Sequence, residues 1–236
     1  MIPKLVDNVI DINSPDFDGN AKNGDVLTGT LTSNKQITIA AGATVTLRGV
    51  DITCLSNDEE TANFAGITLL GDATILLEGE NTVKGGYEDH PGVFVPANTT
   101  LTINGTGSLD ASSGGDEDRF GCGIGGGYLK AAGNIVINGG TITATGGGFA
   151  AGIGSGNSAS CGNITITGGK ITANGGEQSA GIGSGEYGRC GNITIAATVT
   201  QVTATKGSNA PNSIGAGYEG FCGTVTIEDG ANVTQN

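Results

Sequence analysis

Residues 161–185 read CGNITITGGKITANGGEQSAGIGSG, and residues 132–156, twenty-nine positions earlier, read AGNIVINGGTITATGGGFAAGIGSG. A looser copy begins at Cys190. Inside the stretch, Ile164-Thr165-Ile166 alternates apolar and polar side chains, as a half-buried strand does. Gly-Gly and Asn-Gly pairs punctuate it, and these allow positive φ at corners. A 29-residue unit of short strands cannot bury its own apolar side and must stack on copies of itself.

Working outward, the same unit recurs as Val45-Thr46-Leu47, Ile75-Leu76-Leu77, Leu101-Thr102-Ile103, Ile135-Val136-Ile137, Ile193-Thr194-Ile195 and Val225-Thr226-Ile227. A column upstream of it starts at Ile37, Ile67, Val93, Ile124, Ile153, Ile182 and Ile214. The offset between the two is eight residues in the first three turns of the repeat and eleven in the last four. A third column follows as Val50-Asp51-Ile52-Thr53, Ile142-Thr143-Ala144 and Ile171-Thr172-Ala173. Three short strands per turn at strand spacing of about 4.8 Å predict an all-β fold, a right-handed single-stranded parallel β-helix of about seven coils. Residues 35–236 form this single repeat domain, and residues 1–34, which do not repeat, are expected to cap its first coil. At the other edge, the coil around Val225 is expected to meet an adjoining domain or a second copy end to end, or to be blunted by Glu228 and Asp229.

Composition agrees with a thin core. The 236 residues hold 45 glycines, ten aromatic residues and no tryptophan. The net charge of −13 excludes nucleic acid, whose binding needs Lys and Arg, and disfavours anionic membranes. No run approaches the roughly 18 apolar residues of a membrane span. Polysaccharide and divalent cations stay open as partners.

Stacking turns sequence columns into physical lines. Asn134, Asn163 and Asn192 are expected to form an amide ladder, side chain to side chain. Cys161, Cys190 and Cys222 share a column and read as small buried thiols, in disulfide range but pointing the same way. The outward threonines Thr46, Thr102, Thr165, Thr194 and Thr226 follow strand propensity. Gly123-Ile124-Gly125, Gly152-Ile153-Gly154 and Gly181-Ile182-Gly183 predict a bare strip several coils tall, and glycine in a strand often marks close approach by a ligand or another backbone. Tyr128, Tyr187 and Tyr218, with Asn157 in the remaining coil, flank it on one side; Asp58-Glu59, Glu88-Asp89 and Asp116-Glu117-Asp118 flank it on the other. Tyrosine faces suit pyranose rings, and clustered carboxylates suit Ca²⁺. The same residues also read as solvated corners. Asp16-Phe17-Asp18-Gly19-Asn20 resembles part of a calcium loop but lacks its distant Glu.

Catalysis is not expected. Arg48, Asp51, Glu78, Lys170 and Glu228 are scattered over different columns, and His90, the single histidine, has no Ser or Cys partner in the pattern. Two carboxylates at a hydrolase separation are not evident either.

The stretches ITIAAGATVTLRGVDIT, GITLLGDATILLEGENTV and PGVFVPANTTLTINGTGSL, with the AGIGSG and CGNITITGGKITA repeats, resemble the carbohydrate-binding, pectate-lyase-like β-helix family of surface proteins in anaerobic and gut bacteria. The resemblance covers about residues 35–235. It implies a secreted or cell-surface location and binding of acidic pectic glycan with calcium. At −13 such binding has to be calcium-bridged; a neutral glycan needs only the tyrosine edge. The alternative expectation is a structural spacer or adhesin stalk, and a lyase or hydrolase is the third.

Overall fold

A computed structural model describes residues 8–53, 55–56, 59–87, 89–114 and 120–236. They form a parallel β-helix with one helical turn, Glu59–Ala62. One eight-stranded sheet, here the glycine sheet, stacks Asn20–Ala21, Ile37–Ile39, Ile67–Leu69, Val93–Phe94, Ile124–Gly125, Ile153–Gly154, Ile182–Gly183 and Ile214–Gly215. The expected threonine column and the third column are two arms of one 15-stranded sheet. They fuse in a single nine-residue strand, Thr44–Ile52, which turns its corner at Gly49 with φ 71°. Beyond that strand the arms separate, and each later coil contributes one strand to either arm.

Register follows the apolar alternation. Ile124, Ile153, Ile182 and Ile214 are successive partners in one inward row, each 5% exposed or less. On the neighbouring sheet Ile135, Ile164 and Ile193 do the same, with Val136, Thr165 and Thr194 facing outward. Alanines 111, 144, 173 and 204 fill the third arm. The resulting core is narrow and continuous along the stack, so aliphatic side chains suffice where a globular domain needs aromatics.

Two sequence expectations change in detail. Within residues 8–34 the chain does more than cover the first coil: Asn20–Ala21 joins the glycine sheet, and Asp25–Thr30 pairs in parallel with Thr44–Ile52. Asn8–Asp11 then pairs with Asp25–Thr30. This segment repeats the geometry of a coil without its letters. The Lys35 ammonium donates to the carbonyls of Ile12, Ser14 and Phe17 at 3.0–3.2 Å, which ties the 12–17 segment to the first coil.

The asparagine column is a ladder of a different kind. The Asn134 side-chain carbonyl accepts the backbone N–H of Asn163, Asn163 accepts that of Asn192, and Asn192 that of Thr224, at 2.8–2.9 Å. Each amide thus satisfies a corner N–H of the next coil, a group costly to leave unpaired when shielded from water.

Candidate functional site: an aromatic edge over the glycine sheet

The expected open strip is closed. Gly152, Gly154, Gly181 and Gly183 are all buried, as are Gly123 and Gly125. Gly125, Gly154, Gly183 and Gly215 have φ between 130° and 139°, a region essentially restricted to glycine. A Cβ on Gly154 would lie 1.9 Å from the Gly183 carbonyl oxygen. These glycines serve close approach by backbone, and the backbone is the next coil of the same chain.

What covers the strip is the chain on either side of it. The N–H groups of Cys122, Ala151 and Ala180 donate to the carbonyls of Gly126, Ser155 and Ser184, four residues on, at 3.0–3.2 Å. Each Gly-Ile-Gly unit is thereby pinched into a loop. The outbound turn of one coil then bonds to the inbound segment of the coil before it. Tyr128 donates to Asp89, Asn157 to Phe120, Glu186 to Phe149, and Tyr218 to Gln178, at 2.8–3.3 Å. Among the described residues, the segments on either side of the strip meet in a seam and leave no trough between them.

Along that seam runs an aromatic edge. The Phe120 ring lies 5.0 Å from Tyr128 and 5.4 Å from Phe149, stacked on the latter. Tyr187 and Tyr218 meet edge to face at 6.2 Å. The three tyrosines are 38–52% exposed, so their faces reach solvent. Between the last two coils Gln178, Glu186, Tyr187, Asn209 and Tyr218 line a shallow open cleft of about 490 Å³. The Phe149 carbonyl, bonded to the Glu186 N–H, links the cleft to the Phe120–Phe149 pair.

Counting from the inward isoleucines corrects one alignment. Tyr128, Asn157, Glu186 and Tyr218 each stand four residues after the Ile and share one column; Tyr187 stands five after, with Leu129, Ser158 and Glu219. All four of this second set have φ of 47–52°. The Tyr187 side chain thus springs from a left-handed corner next to the column expected for it.

The cleft is electrically negative. Burial pushes the Glu186 carboxyl up, the hydrogen bond from the Asn157 amide (2.7 Å) opposes this, and Glu219 raises it further. The Tyr187 hydroxyl is raised, first by Glu219, then by desolvation, Glu186 and Tyr218. The Glu219 carboxylate acts on both groups.

Of the expected metal ligands, Asp58, Glu88, Asp116, Glu117 and Asp118 lie outside the described residues, as does the Glu59 side chain. Asp89 sits in the seam, its carbonyl taken by Tyr128. Among the described residues no three His, Cys, Asp or Glu side chains gather as a metal site. Phe120 and Phe149 were not singled out from sequence, although both stand four residues before an inward Ile, 29 apart. Gln178 continues the column of Phe120 and Phe149, four residues before Ile182, and Glu186 shares the column of Tyr128, but neither letter is aromatic; Asn209 carries no such signal.

Residues 101–128, 135–157 and 164–186 match the family model described as beta helix repeat. No curated protein and no solved structure matches the chain. The three matched segments contain the Phe120–Tyr128–Phe149 end of the aromatic edge, Tyr187 lying just beyond the third.

Proposed function

We propose that this β-helix is a non-catalytic polysaccharide-binding module acting outside the cell. The observation that carries the reading is the Tyr187–Tyr218 cleft with its amide walls, Gln178 and Asn209, continued by the Phe120, Phe149 and Tyr128 rings. Exposed aromatic faces supply apolar area to pyranose rings, and the amides supply hydrogen bonds to hydroxyls. Rings held by a stacked backbone lose little freedom on binding. The glycine strip supports this edge from beneath and takes no part in contact.

The sign of the field selects among glycans. With carboxylates acting on the cleft, a neutral chain binds directly, whereas an acidic pectic chain requires a bridging Ca²⁺. Affinity electrophoresis through gels of neutral glucan, neutral xylan and polygalacturonate, each with calcium or with EDTA, tests both statements. Retardation by a neutral gel is expected to survive EDTA. The double variant Tyr187→Ala/Tyr218→Ala is expected to lose at least about tenfold in affinity. Undiminished binding by that variant removes the cleft, and release of new reducing ends or unsaturated sugars from the gels removes the non-catalytic reading. Absence of retardation in every gel favours the rigid-stalk alternative, which the uninterrupted inward isoleucine row supports.

A further inference from the structure

Beside the cleft, on the inner side of the same corner, three cysteines stack. Arg189–Cys190 and Phe221–Cys222 form a two-residue parallel ladder with Cys190 and Cys222 as register partners. Their Sγ atoms are 3.1 Å apart, and both lie 3.4 Å from the Gly191 carbonyl. Paired parallel residues sit about 4.8 Å apart, inside the Cα range of about 4.4–6.8 Å that disulfides span. Both are free thiols in this structure, as expected, yet their sulfurs lie in direct contact although the side chains spring from paired positions. Cys161, one coil earlier, has its Sγ near the Gly183 carbonyl (3.9 Å).

We propose that Cys190 and Cys222 form a disulfide when the protein meets a small-molecule disulfide, clamping the last two coils. Cys222 is half-buried and Cys190 nearly inaccessible, so Cys222 is the point of attack. As a thiolate Cys222 accepts a hydrogen bond from Cys190, which holds its pKa below the ordinary thiol value, and the thiolate is the nucleophile. It attacks one sulfur of the small disulfide and releases one thiolate, leaving a mixed disulfide on Cys222. Cys190 gives up its proton and attacks the Cys222 sulfur, and the second small thiolate leaves. Two protein thiols are oxidised and one small disulfide is reduced to two thiols. The bond ties together the turns that carry Tyr187, three residues before Cys190, and Tyr218, four before Cys222.

The test uses the full chain in a Cys54→Ser background, incubated with oxidised glutathione, alkylated, and digested without reduction. Mass spectrometry is expected to find a Cys190–Cys222 linked peptide and an intact mass lower by two hydrogens. Amide exchange across 221–235 is expected to slow at least about tenfold. In Cys222→Ser the mass loss is expected to vanish. Alkylation of Cys190 and Cys222 unchanged by oxidation, a bridge from Cys190 to Cys161, or a mass loss that persists in Cys222→Ser would each overturn the assignment. None of these readouts depends on glycan binding.

Discussion

The first three coils and the last four share one core yet present different outer faces on the glycine sheet. The position after the inward residue is Thr38, Thr68 and Phe94 in the early coils and Gly125, Gly154, Gly183 and Gly215 in the later ones, all in one register. Early strands such as Ile37–Ile39 and Ile67–Leu69 keep a half-buried outward side chain. In the later coils the face is bare, the outbound arm is three residues longer, and inbound and outbound segments close over it. Removing the side chains and lengthening the arm are two halves of one device. Without glycine the seam cannot approach, and without the extra residues there is no chain to form it. The aromatic edge, and with it the candidate site, exists only where both conditions hold.

The sharpest way to break this contrast is to put a methyl back. Gly154→Ala forces alanine to φ 139° and drives its Cβ into the Gly183 carbonyl. We expect a loss of roughly 3–5 kcal/mol, read as a lower urea midpoint together with loss of protection in the later coils. The matching truncation in the early half, Thr68→Ala, removes a side chain from an uncovered face and is expected to cost under about 1 kcal/mol. Equal costs would mean that the two faces are built alike.

His90 marks the boundary. It stands three residues before Val93, in the column that continues as Gly121, Ala150 and Ser179 beneath the seam. Its ring bonds to the Asn63 side chain and is 5% exposed. Burial, aided by the nearby Lys130 charge, lowers its pKa to about 4. A folded pKa below the unfolded value of 6.5 means that the unfolded chain binds the proton more tightly. The neutral ring's contribution is therefore whole above pH 6.5 and is lost as pH falls towards 4, by up to about 3 kcal/mol. Unfolding by urea at pH 7.5, 5.5 and 4.5 is expected to show this decline in the native chain beyond that in His90→Gln. Parallel curves for the two proteins would refute a buried neutral imidazole.

The architecture was legible because two periods coincide. Alternation assigns Ile164 and Ile166 inward and Thr165 outward, and the 29-residue offset then brings Ile135, Ile164 and Ile193 into one row. The site was legible only in part. Glycines at 125, 154 and 183 announce close approach, but their letters do not say what approaches; the path of the flanking segments decides that. Tyr187 was misplaced by one position because Glu186-Tyr187 and Tyr218-Glu219 carry the same two residue types in opposite order. An amide has a donor and an acceptor end, so the pattern Asn134, Asn163, Asn192 could not tell a side-chain ladder from one that caps backbone N–H groups.

The corner column offers the finest comparison. Asn98, Leu129, Ser158, Tyr187 and Glu219 are all left-handed, with φ of 47–64°. The third coil places asparagine there, a residue that tolerates this region, whereas the later coils include leucine and tyrosine, for which it costs of order 1 kcal/mol. Tyr187 recovers part of that cost in its edge-to-face contact with Tyr218, but half of its surface faces water. A residue that strains its backbone to hold an aromatic ring in solvent breaks a local rule without a matching structural gain, which is the pattern expected of a functional position. Tyr187→Asn is accordingly expected to leave stability unchanged or raise it by up to about 1 kcal/mol, while binding to a neutral glycan gel weakens. Calorimetric unfolding and affinity electrophoresis on one preparation separate the two effects. A variant less stable than the native chain would show that the Tyr187–Tyr218 contact outweighs the strain, and would return this corner to the structural side of the comparison.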